Sequence, residues 1–169
     1  GELYFANNEN RKAIQVLMQA LAAYDSLEYQ ALQGVYVILG RAYRVETDYG
    51  QALFYLLKAL KTAHALGDSS ILLCNINHAL GELYTSIDRS DLAVKYAEAA
   101  LEVARQYANE NDVFFLSVNL AIKCDRNGQP EQGLEVLASI PEPSMSSLSE
   151  AKKVLLGEAY LGIYLSLGQ

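Results

Sequence analysis

Tryptophan, cysteine and proline are missing or rare in this sequence. Its 169 residues include no tryptophan, two cysteines and three prolines. The prolines all follow residue 129, so the strongest helix breaker is missing from most of the chain. Cys74 and Cys124 lie fifty residues apart without a C-x-x-C pair. This spacing predicts two small buried side chains, and neither a metal site nor a disulfide framework.

Positive charge is also scarce, with 13 lysines and arginines against 20 acidic residues and a net charge of −7. Because an acidic surface repels phosphate backbones, we expect no nucleic acid partner. No apolar run reaches the roughly 18 residues of a membrane-spanning helix, and no basic-then-apolar segment marks a signal peptide. We therefore expect a soluble, cytoplasmic chain without membrane contact. A periplasmic location stays open if a longer parent protein is anchored in a membrane.

No combination of residues in the sequence is typical of an enzyme. Nucleophilic catalysis needs a serine or cysteine with a base held nearby, and neither His64 nor His78 has a plausible orienting partner in register with Cys74 or Cys124. Glycine loops that cradle phosphates, H-E-x-x-H pairs and calcium-loop patterns are missing as well. The sequence therefore predicts a non-catalytic protein that needs neither a cofactor nor a metal ion.

Helical periodicity dominates what is present. Apolar side chains recur at three- and four-residue spacing, and period-two patterns of comparable length are missing, which predicts an all-α fold. The first such run comprises Ala13, Val16, Leu17, Ala20, Leu21 and Tyr24. Turn-forming and capping residues predict helix breaks, which fall near residues 7–10, 25–28, 47–50, 67–70, 88–91, 109–112, 127–130 and 141–144.

One motif recurs in phase with these breaks. Gly40-Arg-Ala-Tyr43 reappears as Gly81-Glu-Leu-Tyr84, and the chain begins with Gly-Glu-Leu-Tyr4. An alanine follows each tyrosine after nine residues and another comes seven residues later, while successive copies are offset by 39, 41, 40 and 40 residues. A small residue on one helix lets a second helix approach closely, so each copy predicts a helical hairpin. Since one hairpin cannot bury its apolar surface alone, the copies must stack.

This pattern resembles the tetratricopeptide repeat (TPR), in which L-G-x-x-Y on a first helix is followed by two alanines on a second. The best copies are Leu39-Gly40-x-x-Tyr43 with Ala52, Leu56 and Ala59, and Leu80-Gly81-x-x-Tyr84 with Ala93, Ala97 and Ala100. A degenerate copy reads Leu120-Ala121-x-x-Cys124 with Gly133, Leu137 and Ile140. The resemblance implies a right-handed superhelix of stacked α-hairpins.

Two features depart from the family pattern. The chain has no tryptophan, and its period is near 40 residues where the family averages about 34. Repeats of this long-period subtype resemble those of bacterial regulatory and signalling proteins.

The resemblance covers nearly the whole chain as one array. It implies a partial repeat over residues 1–26, full repeats over 27–67 and 68–108, a degenerate repeat over 109–143 and a truncated repeat over 144–169. Because solenoid ends need polar caps, we expect a fragment of a longer array whose exposed ends can pair with a second copy.

In such a superhelix the first helices of the hairpins line a concave groove. The groove positions of the family correspond here to Arg41, Arg44, Asn75, His78, Glu82, Phe115, Asn119 and Asp125. This mixture of cations, amides, carboxylates and an apolar ring suits a peptide or a helical segment. Simpler roles stay open, namely solvated charge for Arg41 and Arg44, packing for His78 and core for Phe115. The positions that clamp a chaperone tail in the family lack basic and amide residues here, so we do not expect that ligand.

Two functions of different class fit these observations. The first is a non-catalytic scaffold that binds a protein or peptide partner. The alternative is a ligand- or peptide-sensing regulatory domain of a bacterial signalling protein, such as a GGDEF-type diguanylate cyclase or a transcriptional regulator. An effector domain in the same gene would favour the sensor, whereas further repeats alone would favour the scaffold.

Overall fold

A computed structural model describes residues 2–26, 31–140 and 148–168 of the chain. These residues form helices joined by turns, and no strand occurs among them. The helices are α1 (Glu2–Ser26), α2 (Gln33–Val45), α3 (Tyr49–Ala65), α4 (Ile71–Ser86), α5 (Ser90–Tyr107), α6 (Glu110–Arg126), α7 (Pro130–Ala138) and α8 (Glu150–Ser166). Consecutive helices pack against each other. The predicted all-α solenoid of helical hairpins is therefore confirmed.

Most of the predicted helix breaks are confirmed, but the first one is wrong. Helix α1 runs without interruption from Glu2 to Ser26 and passes through residues 7–10. Those four residues include no glycine or proline, and an asparagine lowers helix stability by no more than about 0.7 kcal/mol. The good helix formers that follow them, Arg11, Lys12 and Ala13, favour continuation of the helix. The predicted break at 141–144 lies outside the described residues.

Three hairpin turns share one backbone geometry. Each turn contains a residue with left-handed backbone, with φ of 62° at Thr47, 55° at Asp88 and 74° at Gly128. In all three turns the next amide donates to the carbonyl oxygen five residues earlier, over 2.9 to 3.0 Å. This pattern is the Schellman motif, which satisfies the free carbonyl groups at the end of a helix. It ends α2, α4 and α6 and starts the hairpins α2–α3, α4–α5 and α6–α7.

Close approach of the paired helices explains the small residues of the motif. A Cβ atom added at Gly40 would lie 2.5 Å from Cγ of Leu56, and one added at Gly133 would lie 2.9 Å from the carbonyl oxygen of Ala121. The motif alanines of the second helices, such as Ala59 and Ala100, are fully buried. Any larger side chain at these positions would force the helices apart.

A pair of stacked tyrosine rings joins the two helices in each of the hairpins α2–α3 and α4–α5. The rings of Tyr43 and Tyr55 are 5.6 Å apart and nearly parallel, and those of Tyr84 and Tyr96 are 5.4 Å apart with the same arrangement. In each case the motif tyrosine on the first helix meets a tyrosine twelve residues later on the second. The rings therefore cover the seam between the two helices of a hairpin.

Candidate functional site

The first helices of the three hairpins position all eight candidate residues. Helix α2 carries the two arginines, α4 carries Asn75, His78 and Glu82, and α6 carries Phe115, Asn119 and Asp125. We call the side of the array formed by α2, α4 and α6 the first-helix wall. Its chemistry follows from contacts between neighbouring first helices.

A cavity of about 240 Å³ lies between α4 and α6. It brings together four of the candidate residues, Asn75, His78, Phe115 and Asn119. The remaining lining residues are Ile71, Cys74, Asp112 and Leu116. The Phe115 side chain is 44% exposed, so it contributes to this surface more than to the core. We call this space the α4–α6 cavity.

The two arginines reach from α2 toward opposite ends of α4. Arg41 Nη2 donates to the carbonyl oxygen of Asn75 over 3.4 Å, and Arg44 Nη1 donates to Ser86 Oγ over 3.4 Å. In the part of the chain that the structure describes, neither guanidinium has a carboxylate oxygen within 4.0 Å. The Nε atom of Arg44 is buried and lacks an acceptor. Burial lowers the pKa of Arg41, and the positive charge of Arg44 lowers it further.

Glu82 is paired with a residue that the sequence analysis did not identify. Lys123 Nζ lies 2.7 Å from Glu82 Oε1, and the lysine side chain is only 7% exposed. Burial alone would raise the pKa of Glu82, but the hydrogen bond and charge of Lys123 lower it overall, aided by His78 and Arg44. The repeat register could have revealed this lysine, because the equivalent positions carry the buried residues Ala42 and Leu83.

His78 lies on α4 between the residues that the two arginines contact. Burial lowers its pKa, and Glu82 opposes this effect while Lys123, Arg41 and Arg44 add to it. The lowered pKa favours the neutral form of the imidazole.

Asp125 is separate from the residues around the cavity. Its Oδ1 atom is buried without a hydrogen-bond partner, and the side chain does not line the α4–α6 cavity. A second cavity of about 330 Å³ is lined by Thr85, Asp88, Ser90, Ala93, Lys123 and Arg126. Asp125 lines neither of these two cavities, and the same holds for Arg41, Arg44 and Glu82.

The structure also bears on metal and thiol chemistry. Among the described residues, no three histidine, cysteine or acidic side chains are grouped closely enough to hold a metal ion. Cys74 and Cys124 are buried free thiols, as the sequence predicts. Burial raises the pKa of Cys74, and it raises the pKa of Cys124 to about 11. Neither thiol is therefore poised as a thiolate nucleophile at neutral pH.

Comparison with protein families assigns part of the array. Residues 75–107 match the family model of the tetratricopeptide repeat. This segment is similar to a TPR. It covers most of α4 and all of α5, and it contains the copy Leu80-Gly81-x-x-Tyr84. The match supports a TPR in this hairpin and, with it, the role of a protein-interaction scaffold.

No curated protein sequence matches the chain. None of the helices in residues 2–26, 31–140 and 148–168 is both long and apolar enough to cross a bilayer.

Proposed function

We propose that this protein is a non-catalytic scaffold that binds a protein or peptide partner on its first-helix wall. The observation that carries the proposal is the half-exposed ring of Phe115 beside the amides of Asn75 and Asn119 in one cavity. An aromatic side chain supplies contact area, and side-chain amides can pair with a peptide backbone. The TPR match at residues 75–107 supports this class of function.

Exposed apolar side chains on the neighbouring first helix extend this surface. Ile38 and Val45 are 53% and 46% exposed on α2. They lie three residues before and four residues after Arg41, so all three side chains share one face of the helix. Contiguous apolar side chains with polar neighbours are typical of interaction sites. The arrangement favours a partner that lies across α2, α4 and α6.

A matched pair of phenylalanine variants tests the proposal. Peptides selected from a random display library against the full chain should bind Phe115→Ser at least about tenfold more weakly than the unmodified protein. Phe54→Ser is the control, because Phe54 is exposed on α3 and packs edge-on against Tyr55 as Phe115 does against Phe114. Hydrogen exchange should show protection of α4 and α6 by the selected peptides.

Two results would contradict this function. The first is a library that yields no binder to the folded chain. The second is a set of binders that tolerate Phe115→Ser as well as Phe54→Ser, since such peptides would contact another surface.

We also propose that a second copy of the chain covers the open face of α8. Val154, Leu161 and Leu165 are each more than half exposed and are spaced seven and four residues apart on one face. Sedimentation velocity should show a concentration-dependent dimer that Leu161→Glu combined with Leu165→Glu converts to a monomer. A monomer at all concentrations of the unmodified chain would refute this assembly.

A further inference from the structure

We propose that the partner presents an acidic segment, with carboxylates that pair with Arg41 and Arg44 and a neighbouring apolar side chain that enters the α4–α6 cavity. This inference rests on the proposed function, because it assumes that the first-helix wall binds a protein. It adds the chemistry of the partner, which the fold and the TPR match leave open.

The first step is the lack of acceptors for the two guanidinium groups. Each group has five N–H donors, yet within residues 2–26, 31–140 and 148–168 each makes a single hydrogen bond of 3.4 Å to an uncharged oxygen. The Nε of Arg44 is buried without an acceptor. A carboxylate fits this donor set, because it can accept two parallel N–H bonds from one guanidinium.

The second step is the balance of charge on the wall. Glu82 lies on α4 near both arginines, but its carboxylate is bound by Lys123 at 2.7 Å. Asp112 on α6 also lines the α4–α6 cavity, but no carboxylate of the described residues lies within 4.0 Å of Arg41 or Arg44. The two guanidinium groups therefore stay without a paired anion, in a chain whose net charge is −7. Electrostatic complementarity favours an acidic partner here.

The third step is that the Arg41 guanidinium lies next to the α4–α6 cavity. The acceptor of Arg41 is the backbone of Asn75, whose residue also lines the α4–α6 cavity. The carboxylate site and the cavity therefore adjoin. In an extended peptide, side chains two residues apart point the same way and are about 7 Å apart. We therefore expect an acidic residue two positions from a leucine or similar side chain.

Binding of short synthetic peptides tests the inference. The probe is a fluorescein-labelled octapeptide, Gly-Ser-Glu-Glu-Ser-Leu-Gly-Ser, and its control carries glutamine in place of both glutamates. Fluorescence polarisation with the full chain should show at least about tenfold weaker binding for the glutamine peptide. Affinity for the glutamate peptide should also fall as the salt concentration rises, because this partly exposed contact is screened.

Variants of the arginines locate the contact. Arg41→Gln and Arg44→Gln should each weaken the glutamate peptide by about tenfold and leave the glutamine peptide unchanged. Arg105→Gln is the control, since Arg105 on α5 also donates one hydrogen bond to a serine hydroxyl and its loss changes the net charge equally. Arg41→Glu should reverse the preference and bind a peptide with lysines in place of the glutamates.

The outcomes separate this inference from the proposed function. Equal binding of the glutamate and glutamine peptides, or unchanged affinity in both arginine variants, would overturn the acidic partner. If Phe115→Ser still abolished the binding of library-selected peptides, the scaffold function would stand with a neutral ligand. If neither synthetic peptide bound and the library yielded no binder, both proposals would be wrong.

Discussion

The ammonium group of Lys123 on α6 lies 2.7 Å from the carboxylate of Glu82 on α4, and it joins two successive hairpins through a nearly buried ion pair. The lysine stem also lies against the α4–α5 hairpin, because Cε of Lys123 is 3.8 Å from the position of a Cβ on Gly81. Removing two charges from water costs free energy that their attraction only partly offsets. The pair therefore matters most when one partner is lost.

Substitution of Glu82 by glutamine should destabilise the protein markedly. The variant leaves the Lys123 ammonium buried without an anion, a change that costs about 3 kcal/mol when the site is well shielded. Because the Glu82 side chain is 31% exposed, we expect about 2 kcal/mol in the free energy of unfolding, measured with urea.

A double-mutant cycle controls this prediction. Lys123→Met keeps the stem and removes the buried charge, and the remaining Glu82 carboxylate is 31% exposed and can be hydrated by water. It should therefore lower the free energy of unfolding by less than Glu82→Gln, at about 1 kcal/mol. In the Lys123→Met background, Glu82→Gln should have little effect. An equal cost of Glu82→Gln in both backgrounds would show that the ion pair is not the cause.

The ion pair illustrates which features a single sequence can predict. The hairpins follow from local patterns. The motif positions of Gly40, Tyr43 and Ala52 recur at fixed spacing, and each copy of the motif predicts one hairpin with its turn. The contact between Lys123 and Glu82 joins residues 41 positions apart, and no local pattern encodes it. Only the buried register of position 123 could have indicated that a lysine there needs an anion.

The wall is predicted less well than the hairpins for the same reason. The resemblance to the TPR implies groove positions for Asn75, His78, Phe115 and Asn119 on the first helices, and the structure brings these four around one cavity. Asp125 lies six residues after Asn119 on α6, which is about 9 Å farther along the helix and on a different face. The wrong break at residues 7–10 arose because asparagines favour turns but are also tolerated inside a helix.

Stability should fall below pH 6.5 because of His78. Burial lowers the pKa of this imidazole below its ordinary 6.5, so the unfolded chain binds the proton more readily than the folded one. The contribution of His78 to the free energy of unfolding is therefore fully present above about pH 6.5. It is lost as the pH falls through the lowered pKa of the folded state. Urea unfolding between pH 8 and pH 5 should show this slope, and His78→Gln should reduce it. His64→Gln on α3 is the control; an equal effect of both variants would contradict the assignment.

Glycine in place of Thr47 should stabilise the protein. Thr47 has φ of 62° at the turn after α2, where a β-branched residue is strained and glycine is not. The variant loses the bond from Thr47 Oγ1 to the carbonyl oxygen of Glu46, which is exposed and worth little. We expect a gain of about 0.5 to 1 kcal/mol in the free energy of unfolding. Gly128→Thr at the equivalent turn should lose a similar amount, and opposite signs in the two variants are required.

Substitution of Gly40 by alanine should lower the thermal midpoint, because the steric cost of close packing exceeds the gain in helix propensity. A Cβ at this position would lie 2.5 Å from Cγ of Leu56 and 3.2 Å from the carbonyl oxygen of Ala52, so α2 and α3 must move apart at a cost of about 1 to 3 kcal/mol. Gly157→Ala on α8 is the matched control, because no atom of the described residues lies within 4 Å of its Cβ position and alanine favours the helix by about 1 kcal/mol. Thermal unfolding should therefore show a lower midpoint for Gly40→Ala and a higher one for Gly157→Ala. A raised midpoint for both variants would mean that a Cβ atom at residue 40 fits between α2 and α3. Close approach of the two helices would then not require glycine there.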